Sequence, residues 1–454
     1  MAGPSKYPAD SPEGAQPPTG GDVALGPGAA QRVLSRGLVR AGIVTYVFSA
    51  GTLVANLVTG VITARALGPD GRGVTIALLT LTQLLGFVFA AGAAQSVSYF
   101  VARQPGEAPR LLTTWSLMLV PLAAVAIGLG ELLLPVLFEA GSEALEIGRW
   151  FVFAIVLVLG VELYGGLLLG LHDFFVYNAL RLAQPVLTAF AFIVLWAVDA
   201  LTVESALIST SAATAVALAI GFGRVVARTG IGRADIRLGL RSLWYGVRGQ
   251  GSSVANNLTA RLDVAMLPGY VSTASVGIYS VAANVSLIVY ALANTFAGLV
   301  LPAAAREPER ASLKVVGSLW AVLLVAAVMA AVLAVFAEPL LRLVYGSDFA
   351  SAAKSLRLLL PGAVLFAGSS ILTAGIYAAG YPFTATLTQL LGVGATVVGL
   401  VAFLPSGGIT AAALVSSVSY ALIFVASLVA YRALARLSWG AFVPTPARLR
   451  ALAR

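Results

Sequence analysis

Runs of about twenty apolar residues follow one another along almost the whole chain, and this feature constrains the fold more than any other. A helix of that length crosses the hydrocarbon core of a bilayer, and a helix pairs its own backbone polar groups inside lipid. The sequence therefore predicts an all-α polytopic membrane protein with twelve transmembrane helices. Their approximate limits are 41–63, 74–101, 111–130, 150–171, 176–198, 205–226, 243–268, 275–302, 313–336, 355–378, 383–404 and 409–431.

Composition excludes several classes of protein. Only 10% of the 454 residues are charged, against about 25% in soluble domains. The chain has no cysteine and one histidine, His172, which excludes disulfides, thiol catalysis, Cys-ligated metals and a site of several histidines. The formal net charge is +9, but the basic residues lie in short segments between apolar runs, a pattern typical of membrane orientation. We expect no metal, no cofactor and no nucleic-acid partner.

The distribution of lysine and arginine predicts that both termini are cytoplasmic, because the basic residues concentrate on one side of the twelve spans. The first residues, rich in Pro, Gly, Ala and Ser, are typical of a disordered segment. The predicted organisation is a disordered cytoplasmic leader (1–35), an N-terminal six-helix bundle (36–226), a basic cytoplasmic linker (227–242), a C-terminal six-helix bundle (243–435) and a basic tail (436–454). Two stretches, 131–149 and 337–354, are predicted to lie at the membrane interface.

Short matches six spans apart indicate an internal repeat. "ARQPGEAPR" (102–110) resembles "AREPERAS" (305–312), and "GLHDF" (170–174) resembles "GYPF" (380–383). Six spans per repeat give both halves the same orientation, so the pseudo-twofold axis is expected along the membrane normal.

The seventh predicted span, "WYGVRGQGSSVANNLTARLDVAMLPGY" (244–270), is the most polar. Gln250, Asn257 and Arg261 share one helical face with Ser253, and a second stripe beside it carries Arg248, Asn256 and Asp263. A helix this polar is expected to line a water-filled cavity, where Arg248 and Arg261 attract an anionic substrate. The alternative is an arginine–aspartate pair that joins two helices through Asp263.

Two further ionisable residues occur in the first half. Glu162 lies within an apolar span, where it suits either a proton- or cation-coupled step or a hydrogen bond to a neighbouring helix. Arg181 begins the fifth span, where it meets a phosphate near the cytoplasmic mouth or extends to the interface as an ordinary anchor.

The glycine-rich segment "ALGPDGRGV" (66–74) is predicted to be a tight turn between the first two spans. It lacks the lysine and Ser/Thr that complete a phosphate-binding loop. The chain has no GxSxG, HExxH, Walker lysine motif or Asp-rich metal cluster, so we expect a protein that is not an enzyme.

Three longer stretches resemble a known family. "ARALGPDGRGVTIALLTLTQLLGFVFAAGAAQSVSYFVAR" (64–103), "RLDVAMLPGYVSTASVGIYSVAANVSLIVYALANTFAGLVLPAAAR" (261–306) and "LLRLVYGSDFASAAKSLRLLLPG" (340–362) are similar to bacterial oligosaccharide flippases of the multidrug/oligosaccharidyl-lipid/polysaccharide exporter superfamily. The resemblance implies two six-helix bundles that form a V around a central cavity in the bacterial inner membrane.

The same resemblance implies a function. The protein would flip an undecaprenyl-pyrophosphate-linked oligosaccharide from the cytoplasmic to the outer leaflet by alternating access, with membrane lipids, a polysaccharide polymerase and other export components as partners. Candidate substrate contacts are Arg181, Arg248, Gln250, Asn256, Asn257 and Arg261, and candidate coupling residues are Glu162 and Asp263. A cation-coupled multidrug antiporter of the same superfamily is the alternative. A membrane scaffold that docks through the basic tail is a third class.

Overall fold

The computed structural model of the chain describes residues 27–306 and 311–442. Of the described residues, those up to Val47 belong to one unit and those from Phe48 onward to another, and the cavities and contacts described below lie in the second unit. The described residues form thirteen α-helices and no strand: α1 Pro27–Phe89, α2 Ala93–Arg103, α3 Ala108–Leu137, α4 Glu143–Phe151, α5 Ile155–Gly170, α6 Phe174–Ala197, α7 Val203–Thr229, α8 Ile236–Met266, α9 Thr273–Arg306, α10 Ala311–Val335, α11 Ala337–Tyr345, α12 Ala352–Ala378 and α13 Pro382–Leu434.

Within the described part of the chain, nine helices are long and apolar enough to cross a membrane, so the protein is an integral membrane protein. Two of the nine, Val47–Phe89 and Pro382–Leu434, are long enough for two crossings each. Each of these two is broken by a glycine with a non-helical backbone, Gly68 (φ 64°) and Gly408 (φ 52°). The positive φ explains the residue type, because a side chain is strained there. Helix α8 is long enough to cross a membrane but too polar to count among these nine.

Polar caps fix several helix starts at the connections. The Asp235 carboxylate accepts a hydrogen bond from the Leu238 amide at the start of α8, and the Ser142 hydroxyl accepts one from the Leu145 amide at the start of α4. Thr202 and Ser205 form a reciprocal capping box at the start of α7. These caps pair backbone N–H groups that the first turn of a helix leaves free.

The helix bounds differ from the predicted segment limits at several places. Residues 1–26 of the predicted leader lie outside the described residues, and 27–35 belong to α1, where Pro27 occupies the first turn that suits proline. The predicted linker 227–242 is mostly helical: α7 ends before Gly230 (φ 72°), and the Asp235 cap starts α8. Of the predicted tail, residues 443–454 lie outside the described part. The short helices α4 and α11 fall in or beside the two stretches predicted to lie at the interface.

Helix α12 is the most enclosed of the long helices. It packs along α9 and α13 and also contacts α10, and its buried side chains include Leu356, Phe366 and Ile371. By contrast, large apolar side chains such as Val136, Phe190 and Val398 are exposed. An apolar exterior around a tightly packed interior is the pattern of helices in contact with lipid.

Candidate cavity and the contacts at its ends

A cavity of about 860 Å³ lies among the helices of the described part, within the size range of small-molecule sites. Most of its lining comes from α1, α5, α6 and α7. From the later helices, the described side chains that line it are those of Arg261, Asn284, Leu287, Ile288, Ala291 and Tyr345. A second cavity of about 250 Å³ adjoins it, and Gln83, Glu162 and Arg261 line both. The two spaces therefore form one polar region.

Among the described residues, the basic and acidic ones that line the larger cavity are three arginines and one acid: Arg72, Arg181, Arg261 and Glu162. The Arg181 guanidinium lies over the Tyr177 ring, 5.7 Å from its centroid, and it interacts electrostatically with Glu162. Among the described residues, no carboxylate lies within ion-pair distance of any of these arginines. The cavity therefore has an excess of positive charge, which favours an anionic ligand.

The predicted polar faces of α8 divide between the cavity and the protein interior. Arg261 lines both cavities and Asn257 lines the smaller one. Arg248 lines neither; it is exposed and lies over the Trp244 ring at 4.3 Å from its centroid. Gln250 is buried away from both cavities, and Asn256 accepts a hydrogen bond from the Tyr290 hydroxyl at 3.1 Å. Arg261 and Asn257 therefore line a cavity in this structure, whereas Arg248, Gln250 and Asn256 line neither; a substrate contact by any of them stays a prediction.

Asp263 lies inside the packing of α8, α9 and α13. Its Oδ2 accepts hydrogen bonds from the Tyr279 hydroxyl at 2.5 Å and the Ser416 hydroxyl at 2.8 Å. It lines neither cavity. Its contacts thus differ from the predicted interhelical arginine–aspartate pair, because hydroxyl groups surround the carboxyl.

Arg72 is the cavity residue that sequence reasoning missed, because it belongs to the glycine-rich segment predicted to be only a turn. It is 3% exposed. Its Nε donates to Ser280 Oγ at 3.2 Å, and its Nη1 donates to Thr63 Oγ1 at 2.9 Å and to the Gly60 carbonyl. The guanidinium also lies 5.6 Å from the centroid of the Tyr345 ring. The sequence signal for Arg72 was a large cationic side chain within a turn of mostly small residues.

The glycine-rich segment also contacts α9, and we call this contact the loop closure. A side chain on Gly73 would overlap the Thr273 carbonyl, and one on Gly277 would overlap the Pro69 carbonyl. Thr273 Oγ1 donates to Asp70 Oδ1 at 2.6 Å. Only glycine at positions 73 and 277 permits this backbone approach.

A second close contact, which we call the serine closure, joins α2 and α8. A side chain on Gly92 or Gly246 would overlap the backbone of the other. Trp115 Nε1 donates to Ser242 Oγ at 3.0 Å, and Ser242 Oγ donates to Ser96 Oγ at 3.0 Å. Gly73 and Gly92 are nineteen residues apart, roughly 28 Å at the helical rise, a separation similar to the thickness of the hydrocarbon core of a bilayer.

A protein family and several solved structures match the chain. The family described as "Polysaccharide biosynthesis protein" matches residues 38–306. No curated protein matches the chain. The structure is similar to a lipid II flippase MurJ in an inward closed conformation, with a TM-score of 0.71, 14% identity and coverage of 86% of this chain and 87% of that one.

Two further solved structures share the fold. The MATE multidrug transporter DinF-BH matches with a TM-score of 0.62, 17% identity and coverage of 88% and 96%. A MOP superfamily transporter from Pyrococcus furiosus, described as having a binding pocket of reverse polarity, matches with a TM-score of 0.54, 15% identity and coverage of 88% and 96%. At these identities the comparisons show a shared transporter fold.

Proposed function

Because the chain belongs to the polysaccharide biosynthesis protein family, we propose that it is a flippase for an undecaprenyl-pyrophosphate-linked oligosaccharide. The substrate passes from the cytoplasmic to the outer leaflet of the bacterial inner membrane by alternating access. Both termini are cytoplasmic, and the polysaccharide polymerase and other export components are partners in the same pathway. The observation that carries the proposal is a cavity with three arginines and one acid.

The proposed architecture has twelve spans in two six-helix bundles related by a pseudo-twofold axis. Its support is that the two long apolar helices each break at a glycine, while α8 is a further long helix of mixed polarity. The bundles alternate between V-shaped states open to one side. Each state requires one closure to separate.

Arg181 and Arg261 are the proposed contacts of the pyrophosphate. Guanidinium groups form paired, charge-assisted hydrogen bonds with phosphate oxygens. Neither arginine has an ion-pair partner among the described residues, so their charge is available to a ligand. Asn257, at the edge of the smaller cavity, is a proposed sugar contact.

The test is complementation of a polysaccharide-export defect. We expect Arg261→Ala to abolish complementation while the amount of protein in the membrane stays unchanged, because the cavity loses a phosphate contact. Arg261→Lys is expected to retain partial activity, since it keeps the charge but not the paired hydrogen bonds. Arg149→Ala, at an exposed position of α4, is the matched control. Full activity of Arg261→Ala would refute the role of this arginine.

Glu162 favours the second candidate, a cation-coupled multidrug antiporter, because it places a carboxyl in the cavity. Drug-efflux assays on Glu162→Gln separate the two functions. Lost efflux with intact glycan display supports the antiporter. Lost glycan display without any efflux phenotype supports the flippase, with Glu162 in its coupling step. Asp263, buried beside Tyr279 and Ser416, is the second proposed coupling residue.

A further inference from the structure

Arg72 is a buried cation with neutral partners. Two hydroxyl groups, one carbonyl and one aromatic ring surround its guanidinium. No carboxylate among the described residues lies within ion-pair distance of it. An unpaired charge within a membrane-spanning segment is expensive, and such residues mark functional sites. An anionic ligand would therefore stabilise the guanidinium at this position, where none of the described residues supplies a carboxylate.

The neutral partners of Arg72 connect it to the loop closure. Ser280 Oγ accepts from Arg72 Nε and donates to the Gly277 carbonyl at 2.7 Å. Gly277 is one of the two glycines in the backbone contact of the loop closure. Thr63, on the segment of α1 before Gly68, accepts from the same guanidinium. Arg72 thus joins the first part of α1 to α9 at the closure.

Arg72 also lines the same cavity as Arg181 and Arg261. An ionised phosphate attracts the guanidinium by its charge as well as by paired hydrogen bonds, whereas a hydroxyl group or an aromatic ring carries no net charge. A phosphate that enters this end of the cavity therefore competes with the Ser280 hydroxyl and the Tyr345 ring for the guanidinium. A ligand shifts a conformational equilibrium by its difference in affinity for the two states, and this competition supplies such a difference.

We propose that Arg72 is a second phosphate-binding group of the cavity, and that a phosphate bound there displaces Ser280 and Tyr345 and so loosens the loop closure. The inference rests on the proposed function for the ligand, a lipid that bears phosphate. Under alternating access, the pyrophosphate binds Arg181 and Arg261 first and reaches Arg72 before release. Binding of the substrate to Arg72 thus promotes the opening through which the substrate leaves.

Spin labels measure the opening directly, because the chain has no native cysteine. We would label Ala200→Cys and Tyr270→Cys in the full chain; both positions are exposed. Residue 200 is close in the chain to Val203, whose side chain lies beside Gly71 on one side of the loop closure. Residue 270 lies between α8 and α9, on the other side. The chain is studied in phosphatidylcholine nanodiscs. The probes are undecaprenyl diphosphate, undecaprenol without phosphate, and inorganic pyrophosphate, which separates a lipid-linked phosphate from a free one.

We expect undecaprenyl diphosphate to increase the population of long label–label distances in the otherwise unchanged chain, and undecaprenol to leave the distances unchanged. Arg72→Gln is expected to bind the diphosphate roughly tenfold or more weakly, because it loses a charge-assisted contact, and its distances should not respond to the probe. Arg72→Lys is expected to fall between the two, since it keeps the charge.

Ser280→Ala provides a test that leaves the charge intact. If Ser280 competes with phosphate for Arg72, its removal tightens diphosphate binding and lengthens the label distances without ligand. Unchanged affinity in this variant overturns the inference, as does an unaltered response of the labels in Arg72→Gln. If the unsubstituted cavity binds undecaprenyl diphosphate no better than undecaprenol, the proposed function itself fails.

Discussion

At the scale of single residues, a fully buried indole depends on one hydroxyl group. Trp115 is fully buried, and its Nε1 donates to Ser242, which in turn donates to Ser96. Ser242 and Ser96 are themselves fully buried. A buried donor that loses its partner costs about 1–3 kcal/mol. The serine closure therefore contributes to stability as well as to contact between α2 and α8.

We predict that Ser242→Ala lowers the free energy of unfolding by about 1–3 kcal/mol, because the indole N–H is left without an acceptor. Thermal unfolding in detergent, followed by tryptophan fluorescence, measures the change. Ser253→Ala, on the same helix and only partly buried, is the control and is expected to change little. Equal effects of the two substitutions would show that the indole has another acceptor.

Residue chemistry explains why sequence reasoning found Arg261, Arg181 and Glu162 but missed Arg72. The first three lie within predicted membrane spans, so the energetic cost of a charge in lipid identifies them. Arg72 stands in a glycine-rich turn, where charges are ordinary and carry no such signal. Its burial depends on Ser280 and Tyr345, which are more than two hundred residues away in the sequence.

At the scale of elements, α8 has polar residues around much of its circumference, and only some of them face a cavity. Gln250 is 2% exposed, and neither atom of its amide has a hydrogen-bond partner among the described residues. Unpaired buried amides destabilise a fold. Periodicity assigned Gln250 and Arg261 to one face, but it did not predict which helices cover each end of that face.

Replacement of the Gln250 amide provides the prediction for this helix. Gln250→Met has a similar volume without polar atoms, so we expect it to raise the free energy of unfolding by about 1–3 kcal/mol. Chemical unfolding in detergent is the measurement, and Gln95→Met, at an exposed position of α2, is the control. A destabilised variant would show that the amide is hydrated or acquires partners in the native protein.

At the scale of the whole molecule, the loop and serine closures each join a segment of the first half of the chain to one of the second half. Under the proposed alternating access, the two closures separate in turn. The all-helical, membrane-spanning character of the fold followed from the sequence, because lipid selects long apolar runs. The closures did not, since they depend on glycine contacts between segments far apart in the chain.

A disulfide in the serine closure is expected to arrest transport. In Ser96→Cys/Ser242→Cys the sulfur atoms replace hydroxyl oxygens that lie 3.0 Å apart, close enough for oxidation to join them after small adjustments. We predict loss of flipping after oxidation and recovery after reduction, measured with a fluorescent lipid-linked oligosaccharide in proteoliposomes. The two single-cysteine variants are the controls. Continued transport by the oxidised, cross-linked protein would show that this contact does not open.

Most of the described residues that line the larger cavity belong to the first half of the chain, and this has a consequence for how ligand choice changes in the evolution of such proteins. Among the residues whose side chains the structure describes, six that line this cavity follow Gly221, and the others lie at or before Gly221. Substitutions that retune ligand choice can therefore accumulate in the first half of the chain while the second half keeps its packing. A chimera that takes residues 48–221 from a relative with a different cargo should inherit most of that relative's selectivity. To this extent, the choice of ligand is inherited mainly with the first half of the chain.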